Sequence, residues 1–101
     1  MRRGEVWWGQ TDTGRRPFVI LTRDTAVSFL SDVVVAPTTS RMRNIPTEVL
    51  LERSDGMPQR CVVSLDNITI FPKRLLRRRI TTLSGSRLEE ICKTLNYALG
   101  C

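Results

Sequence analysis

Apolar residues along this chain fall into short runs separated by polar turns, with one exception near the end. Glu5-Val6-Trp7-Trp8-Gly9 reads as a first strand, and a polar loop from Gln10 to Arg16 follows, with Gly14 inside it. Pro17 to Thr22 and Val33 to Ala36 are continuous β-branched and apolar runs of strand length, as expected of buried strands. Between them, Asp24 to Phe29 has room for one helical turn. Thr47 to Leu51 predicts a further strand, closed by a turn at Ser54-Asp55-Gly56 and Pro58. Cys61 to Leu65 follows, and Ile68 to Phe71 continues it beyond a bend at Asp66-Asn67.

The last segment has a different period. Leu88, Ile91, Cys92, Leu95 and Leu99 recur at the spacing of one face of an amphipathic helix. Ser86 with Glu89 makes a capping-box pattern, Ser84 is an alternative N-cap, and Gly100 stands where a C-cap glycine belongs. Five or six short strands ahead of one helix predict a mainly β protein with a C-terminal helix. Its architecture would be a small, partly open β-barrel packed on that helix. The helix is expected to support the core and to carry no chemistry.

Composition narrows the possibilities. A length of 101 residues suits one domain, 1–101, and a hydrophobic content of 41% is enough for one modest core. The longest uncharged apolar run, Val33 to Pro37, is far short of the roughly 20 residues of a membrane-spanning helix. The opening Met1-Arg2-Arg3-Gly4-Glu5 is no secretory signal. Three cysteines without C-x-x-C spacing make neither a disulfide framework nor a zinc site. Cys61 and Cys92 are expected to be small buried hydrophobes, and the cytoplasm is the default compartment.

Charge then points to an anionic partner. Sixteen basic residues against ten acidic ones leave a net +6; fourteen of the sixteen are Arg, and His is absent. Arg suits phosphate, because its planar fork donates parallel hydrogen bonds and stacks on bases. Basic residues cluster at Arg2-Arg3, Arg15-Arg16, Arg41 with Arg43, and Lys73 to Arg87, and no acidic residue lies between Asp66 and Glu89. A nucleic acid and an acidic protein are both compatible with that surface.

The absence of His removes the commonest general base and transition-metal ligand. The carboxylates are mostly isolated, which argues against a two-metal nuclease site, and neither a Walker-type phosphate loop nor a G-x-S-x-G elbow occurs. Arginine and hydroxyl groups remain for phosphate chemistry. They can stabilise charge on a pentavalent phosphorane, and an RNA 2′-hydroxyl can itself be the nucleophile. Three segments offer such groups: Gly14-Arg15-Arg16-Pro17, Thr38-Thr39-Ser40 and Asp66-Asn67. Pro17 holds Arg16 extended at the start of a strand.

These segments belong to an ordered set of motifs. Met1-Arg2-Arg3-Gly4-Glu5-Val6-Trp7-Trp8 resembles the R-G-[ED]-[IV]-[WY] opening of the MazF/PemK toxin family. Arg16 to Asp24 is similar to its R-P-x-[VL]-[VI]-[IL]-[ST]-x-[DN] strand, and Val34 to Ser40 to its V-x-P-[IV]-T-[ST] segment. Ile45 to Val49 resembles [LI]-P-[TS]-x-V, and Val62 to Ile68 resembles V-x-[LC]-[ED]-[QN]-[IVT]. Each motif is weak alone, but five in the expected order span essentially the whole chain.

The resemblance implies an SH3-like or CcdB-like partly open barrel, usually a homodimer. It implies metal-independent, cofactor-free, sequence-selective cleavage of single-stranded RNA to 2′,3′-cyclic phosphate and 5′-hydroxyl ends. A cognate acidic, MazE-like antitoxin typically occupies the RNA groove. On residue mapping, the family's catalytic Arg falls on Arg16 and its active-site Thr on Thr39, with Ser40 the weaker hydroxyl. Arg16 would stabilise the phosphorane, and Thr39 would donate to a non-bridging oxygen. Arg15, Ser40, Arg41, Arg43 and Asn67 are candidates for RNA contacts, and Trp7 or Trp8 for base stacking, one of the two being expected inside. The chain departs from many members in its first loop, where only Gln10 to Gly14 fills the space of a longer G-S-E-Q-like stretch. Two alternatives use the same scaffold: a non-enzymatic gyrase poison, and a catalytically dead RNA-binding barrel.

Overall fold

The computed structural model describes residues 1–101. Seven strands, β1 (Glu5–Thr11), β2 (Gly14–Ile20), β3 (Asp32–Thr39), β4 (Glu48–Leu51), β5 (Cys61–Ser64), β6 (Thr69–Pro72) and β7 (Leu76–Thr82), are joined by α1 (Asp24–Val27) and followed by α2 (Gly85–Leu99). All pairings are antiparallel, in the order β4-β5-β3-β2-β1-β7, with β6 beside the first half of β3. The end strands β4 and β7 do not pair with each other, so the sheet stays open, as a partly open barrel requires.

Two elements differ from the sequence expectation. The polar loop before Pro17 is a two-residue hairpin turn: Thr11 pairs with Gly14, and only Asp12 and Thr13 lie outside the ladder. Gly14, at φ +120°, takes a backbone conformation that side chains rarely adopt, and so lets the chain reverse there. Arg15 and Arg16 therefore stand within β2, paired with Gln10 and Gly9. The other difference is β7, whose Arg77-Arg78-Arg79 hides any strand alternation. Charged residues are a common guard on a strand with an unpaired edge, and β7 sits at the end of the strand order.

Apolar side chains cover both faces of the sheet, which accounts for the continuous β-branched runs. On one face Val6, Val19, Ala36, Val49, Leu51, Val63 and Leu65 pack with Ile91 of α2. On the other, Phe18, Ile20, Val33, Val35 and Leu76 pack beneath Val27 of α1. Gly9 belongs to the second face, because an added Cβ would stand 2.6 Å from the Phe18 ring. That space lets Phe18 approach Phe71, with ring centroids 4.6 Å apart. Ser84, not Ser86, caps α2 by accepting from the Arg87 N–H, and Gly100 closes it in the left-handed conformation. No helix is long and apolar enough to cross a membrane.

Both tryptophans are half-buried, so neither is fully inside. Trp7 packs at the edge of the second core and donates Nε1–H to Glu5, whereas Trp8 lines the cleft described below. Cys61 is buried, but Cys92 is only half-buried, with its sulfur 3.3 Å from the guanidinium of Arg3.

The open side of the sheet is tied by one carboxylate. After β4 the chain makes a 3₁₀ turn (Arg53–Asp55) and reverses at Gly56, φ +94°. Asp55 Oδ1 accepts from Arg87 Nε of α2 at 3.0 Å, its Oδ2 accepts from the Glu52 N–H, and its carbonyl accepts from Thr81 of β7 at 3.0 Å. One residue thus joins the end of β4 to both β7 and α2.

Acid sensitivity follows from such tethers. The Arg87 guanidinium holds the Asp55 carboxyl below its ordinary value, with the Glu52 N–H adding to this. Burial alone would raise Glu5, but hydrogen bonds from Trp7 and Arg2 and the charges of the amino terminus and Arg79 outweigh it and leave Glu5 lowered too. Both groups bind protons less readily folded than unfolded. Their stabilisation is therefore complete above the ordinary carboxylate range near about pH 4 and is lost as pH falls through the lowered folded values. Urea titrations should show that loss, and Asp55→Asn should both flatten it and cost about 1–3 kcal/mol at pH 7.

Candidate functional site

Two adjoining clefts open at the ends of β2 and β3. The larger, of about 470 Å³, is lined by Trp8, Arg15, Arg16 and Pro17, by Thr38 to Ser40, and by Met57, Pro58, Gln59 and Cys61. The second, of about 450 Å³, takes Arg16, Thr38 and Thr39 again and adds Arg41, Arg43, Ser64 and Asn67. The catalytic and RNA-contact candidates Arg15, Arg16, Thr39, Ser40, Arg41, Arg43 and Asn67 therefore all line one cleft or both, as does Trp8, whereas Trp7 and Asp66 line neither. Only Arg16, Thr38 and Thr39 line both.

Strand geometry explains the sharing. Side chains alternate along a strand, so Arg15 and Arg16 leave β2 on opposite faces, as Thr38 and Thr39 leave β3. Thr38 points inward: it is buried, and its hydroxyl donates to the Pro17 carbonyl at 3.1 Å, tying β3 to β2. Thr39 is the last residue of β3, and its Oγ1 accepts the Arg41 N–H at 3.2 Å. With that lone pair engaged, the Thr39 hydroxyl proton is free to be donated into the clefts.

The surrounding groups differ in availability. Arg43 is partly committed, since its backbone N–H and its Nε both meet the Glu48 carboxylate, at 3.0 and 3.4 Å. Asn67 donates to Ser64 Oγ at 2.7 Å, which leaves its amide oxygen unused by that bond. Arg15 lies over Trp8, its guanidinium carbon 4.4 Å from the ring centroid. Burial pushes the Cys61 thiol up and a contact with Thr38 offsets this only partly, so the sulfur at the cleft is a neutral thiol and a poor nucleophile.

Electrostatically the clefts are one-sided. None of the seven ion pairs in the chain uses Arg15, Arg16 or Arg41, and no carboxylate lines either cleft. Nor do His, Cys, Asp and Glu gather anywhere in groups of three or more that could hold a metal ion. The site offers guanidinium and hydroxyl groups, which bind an anion and stabilise charge developing on it. Met57, Pro58, Gln59 and Ser64 were not legible as site residues. The segment Gly56-Met57-Pro58 signals a turn, but no local pattern says that the turn lines a cleft with β2.

Fold and site together define a small antiparallel β protein with a cationic, carboxylate-free site at its strand ends. The chain belongs to the family described as PemK-like, MazF-like toxin of type II toxin–antitoxin system, whose model matches residues 2–99. Among curated proteins it is 43% identical over 102 residues to the probable endoribonuclease MazF2 of Mycobacterium tuberculosis, covering all of both chains. Among solved structures it is similar to the Mycobacterium tuberculosis toxin MazF-mt6, with TM-score 0.88, 33% identity, and 95% of this chain and 96% of that one covered. It also resembles a mycobacterial endoribonuclease in complex with its cognate antitoxin, with TM-score 0.91, 28% identity, and 99% and 95% covered.

The two threonines should separate structure from chemistry. Thr38→Val is expected to lower the unfolding free energy by about 1 kcal/mol, because the partly buried bond to Pro17 is lost. Thr39→Val should stay within about 0.5 kcal/mol of wild type in the same denaturation experiment, its one internal bond being exposed.

Proposed function

We propose that this protein is a toxin endoribonuclease that cuts single-stranded RNA by metal-independent transesterification. The observation that carries this reading is the sharing of Arg16 and Thr39 by two clefts without a carboxylate. A phosphodiester lying across the shared rim meets a guanidinium and a hydroxyl donor together. The ribose 2′-oxygen bonds to phosphorus, the P–O5′ bond breaks, and the proton lost by the hydroxyl is matched by one gained at O5′. The products are a 2′,3′-cyclic phosphate and a 5′-hydroxyl, and no water is consumed. Arg16 stabilises the phosphorane as its charge grows, and Thr39 donates to a non-bridging oxygen. Arg41, Arg43 and Asn67 hold the flanking backbone in the second cleft, while Arg15 and Ser40 act in the first.

The same cationic surface suits an acidic antitoxin segment, and the relative solved with its cognate antitoxin supports such a partner. RNA and antitoxin would meet the toxin in the cytoplasm. The functional unit is a homodimer. An apolar surface for pairing exists away from the clefts, where the cross-strand pair Val34 and Ile70 is exposed on β3 and β6 and Phe29 is 85% exposed nearby in the chain.

Purified protein in EDTA should cut single-stranded RNA and leave cyclic phosphate ends. Arg16→Ala should slow cutting on the order of 10²- to 10³-fold with an unchanged unfolding curve. Full activity of that variant would remove Arg16 from the mechanism, and activity lost in EDTA would overturn metal independence. Salt-sensitive RNA binding without any cutting would favour the non-catalytic barrel, and gyrase inhibition without RNA cutting the poison. Sedimentation should show a dimer for wild type and a folded monomer for Ile70→Asp; a wild-type monomer at micromolar concentration would refute the pairing.

A further inference from the structure

The larger cleft contains groups that phosphate chemistry does not use. Beside the shared rim it is lined by the β4–β5 turn at Met57, Pro58 and Gln59 and by Trp8 with Arg15. A phosphodiester is satisfied by guanidinium and hydroxyl groups; an indole, a thioether and a proline ring add nothing to its binding. At about 470 Å³ the cleft falls in the range that encloses a small organic ligand.

We propose that this cleft is a nucleobase subsite, in which a base beside the cut stacks on the Arg15 guanidinium and Gln59 reads its hydrogen-bonding edge. The proposal rests on RNA being the substrate and assigns the residues that give the enzyme its sequence selectivity.

The platform is already built. Strand register puts Arg15, opposite Gln10, on the same face of the sheet as Trp8, opposite Pro17. The guanidinium lies over the indole at 4.4 Å, and no carboxylate competes for it. A planar guanidinium held in this way has an outer face that stacks on a base. Stacking alone tolerates every base, so discrimination needs a donor and an acceptor at the edge.

Gln59 is the only side-chain amide in this cleft, and an amide carries a donor and an acceptor side by side. The Thr38 hydroxyl is committed to Pro17, and Cys61 is 4% exposed. The turn that carries Gln59 is anchored at both ends. Met57 is buried in the main core, and Asp55 is clamped by Arg87 and Thr81 at 3.0 Å each. On the other side Cys61 opens β5. A turn so fixed loses little backbone freedom on binding.

The test maps the 5′ ends produced from randomised single-stranded RNA by wild type, Gln59→Ala and Gln59→Glu. Wild type should prefer one base at a position beside the cut. Gln59→Ala should reduce that preference about tenfold at that position only. Gln59→Glu should move it toward guanine, whose N1–H and N2–H face the two carboxylate oxygens. An unchanged preference in the variants, a uniform loss over all sequences, or a wild type indifferent at that position would overturn the subsite. A wild type that cuts no RNA would instead sink the endoribonuclease reading.

Binding supplies a readout independent of cutting. In a Trp7→Phe background, Trp8 fluorescence should respond to adenosine 5′-monophosphate more than to ribose 5-phosphate. Arg15→Lys, which keeps the charge and loses the plane, should weaken the difference. An equal response to the two ligands, or none to the nucleotide, counts against stacking.

Discussion

The ladder between β2 and β3 is the constraint on which the site depends. Phe18 pairs with Pro37 and Val19 with Ala36, and the Thr38 hydroxyl extends the tie to the Pro17 carbonyl. This register brings the start of one strand beside the end of its neighbour. Arg16 and Thr39 are separated by more than twenty residues in sequence and meet only through it. Period-2 alternation then divides the labour, with Thr38 holding the strands and Thr39 facing the clefts. The hairpin at Asp12-Thr13 matters for the same reason, because it makes Arg15 and Arg16 strand residues with fixed directions instead of loop residues.

A second constraint is where the carboxylates are placed. Glu5, Asp24, Glu48 and Asp55 accept bonds from structural partners near the amino terminus, beside β4, and on α2. None lines the clefts, and of the arginines there only Arg43 meets a carboxylate, so Arg15, Arg16 and Arg41 keep their full attraction for a polyanion. Asp55 contributes twice. It ties the open side of the sheet, and in doing so it positions the turn that walls the larger cleft. Fold stability and site shape are coupled through that one residue.

Much of this was legible along the chain. Continuous β-branched runs announced strands buried on both faces, and the helical spacing after Ser84 announced α2. Arg16 and Thr39 stood out because motif order marked them, and Arg15, Ser40, Arg41, Arg43 and Asn67 because basic and polar groups gather beside strand ends. The strand β7 was illegible, since three consecutive arginines on an edge strand carry no alternating pattern. The two tryptophans were misleading for a related reason. Alternation puts them on opposite faces, but Trp7 lies at the margin of the second core and Trp8 lines the larger cleft, and each is left half-buried.

The sequence by itself determined the class of fold, the sign of the surface charge and the chemical inventory of guanidinium and hydroxyl groups without histidine. Local propensity, hydrophobic period and composition act over a few residues, and these properties need nothing longer. Tertiary structure alone decided that the clefts contain no carboxylate, that Thr38 is tied to Pro17 while Thr39 ends its strand at the clefts, and that Gln59 shares a cleft with Arg15 and Trp8. Each of these depends on contacts between distant segments, such as Arg87 with Asp55, whose energy is realised only after the sheet has formed.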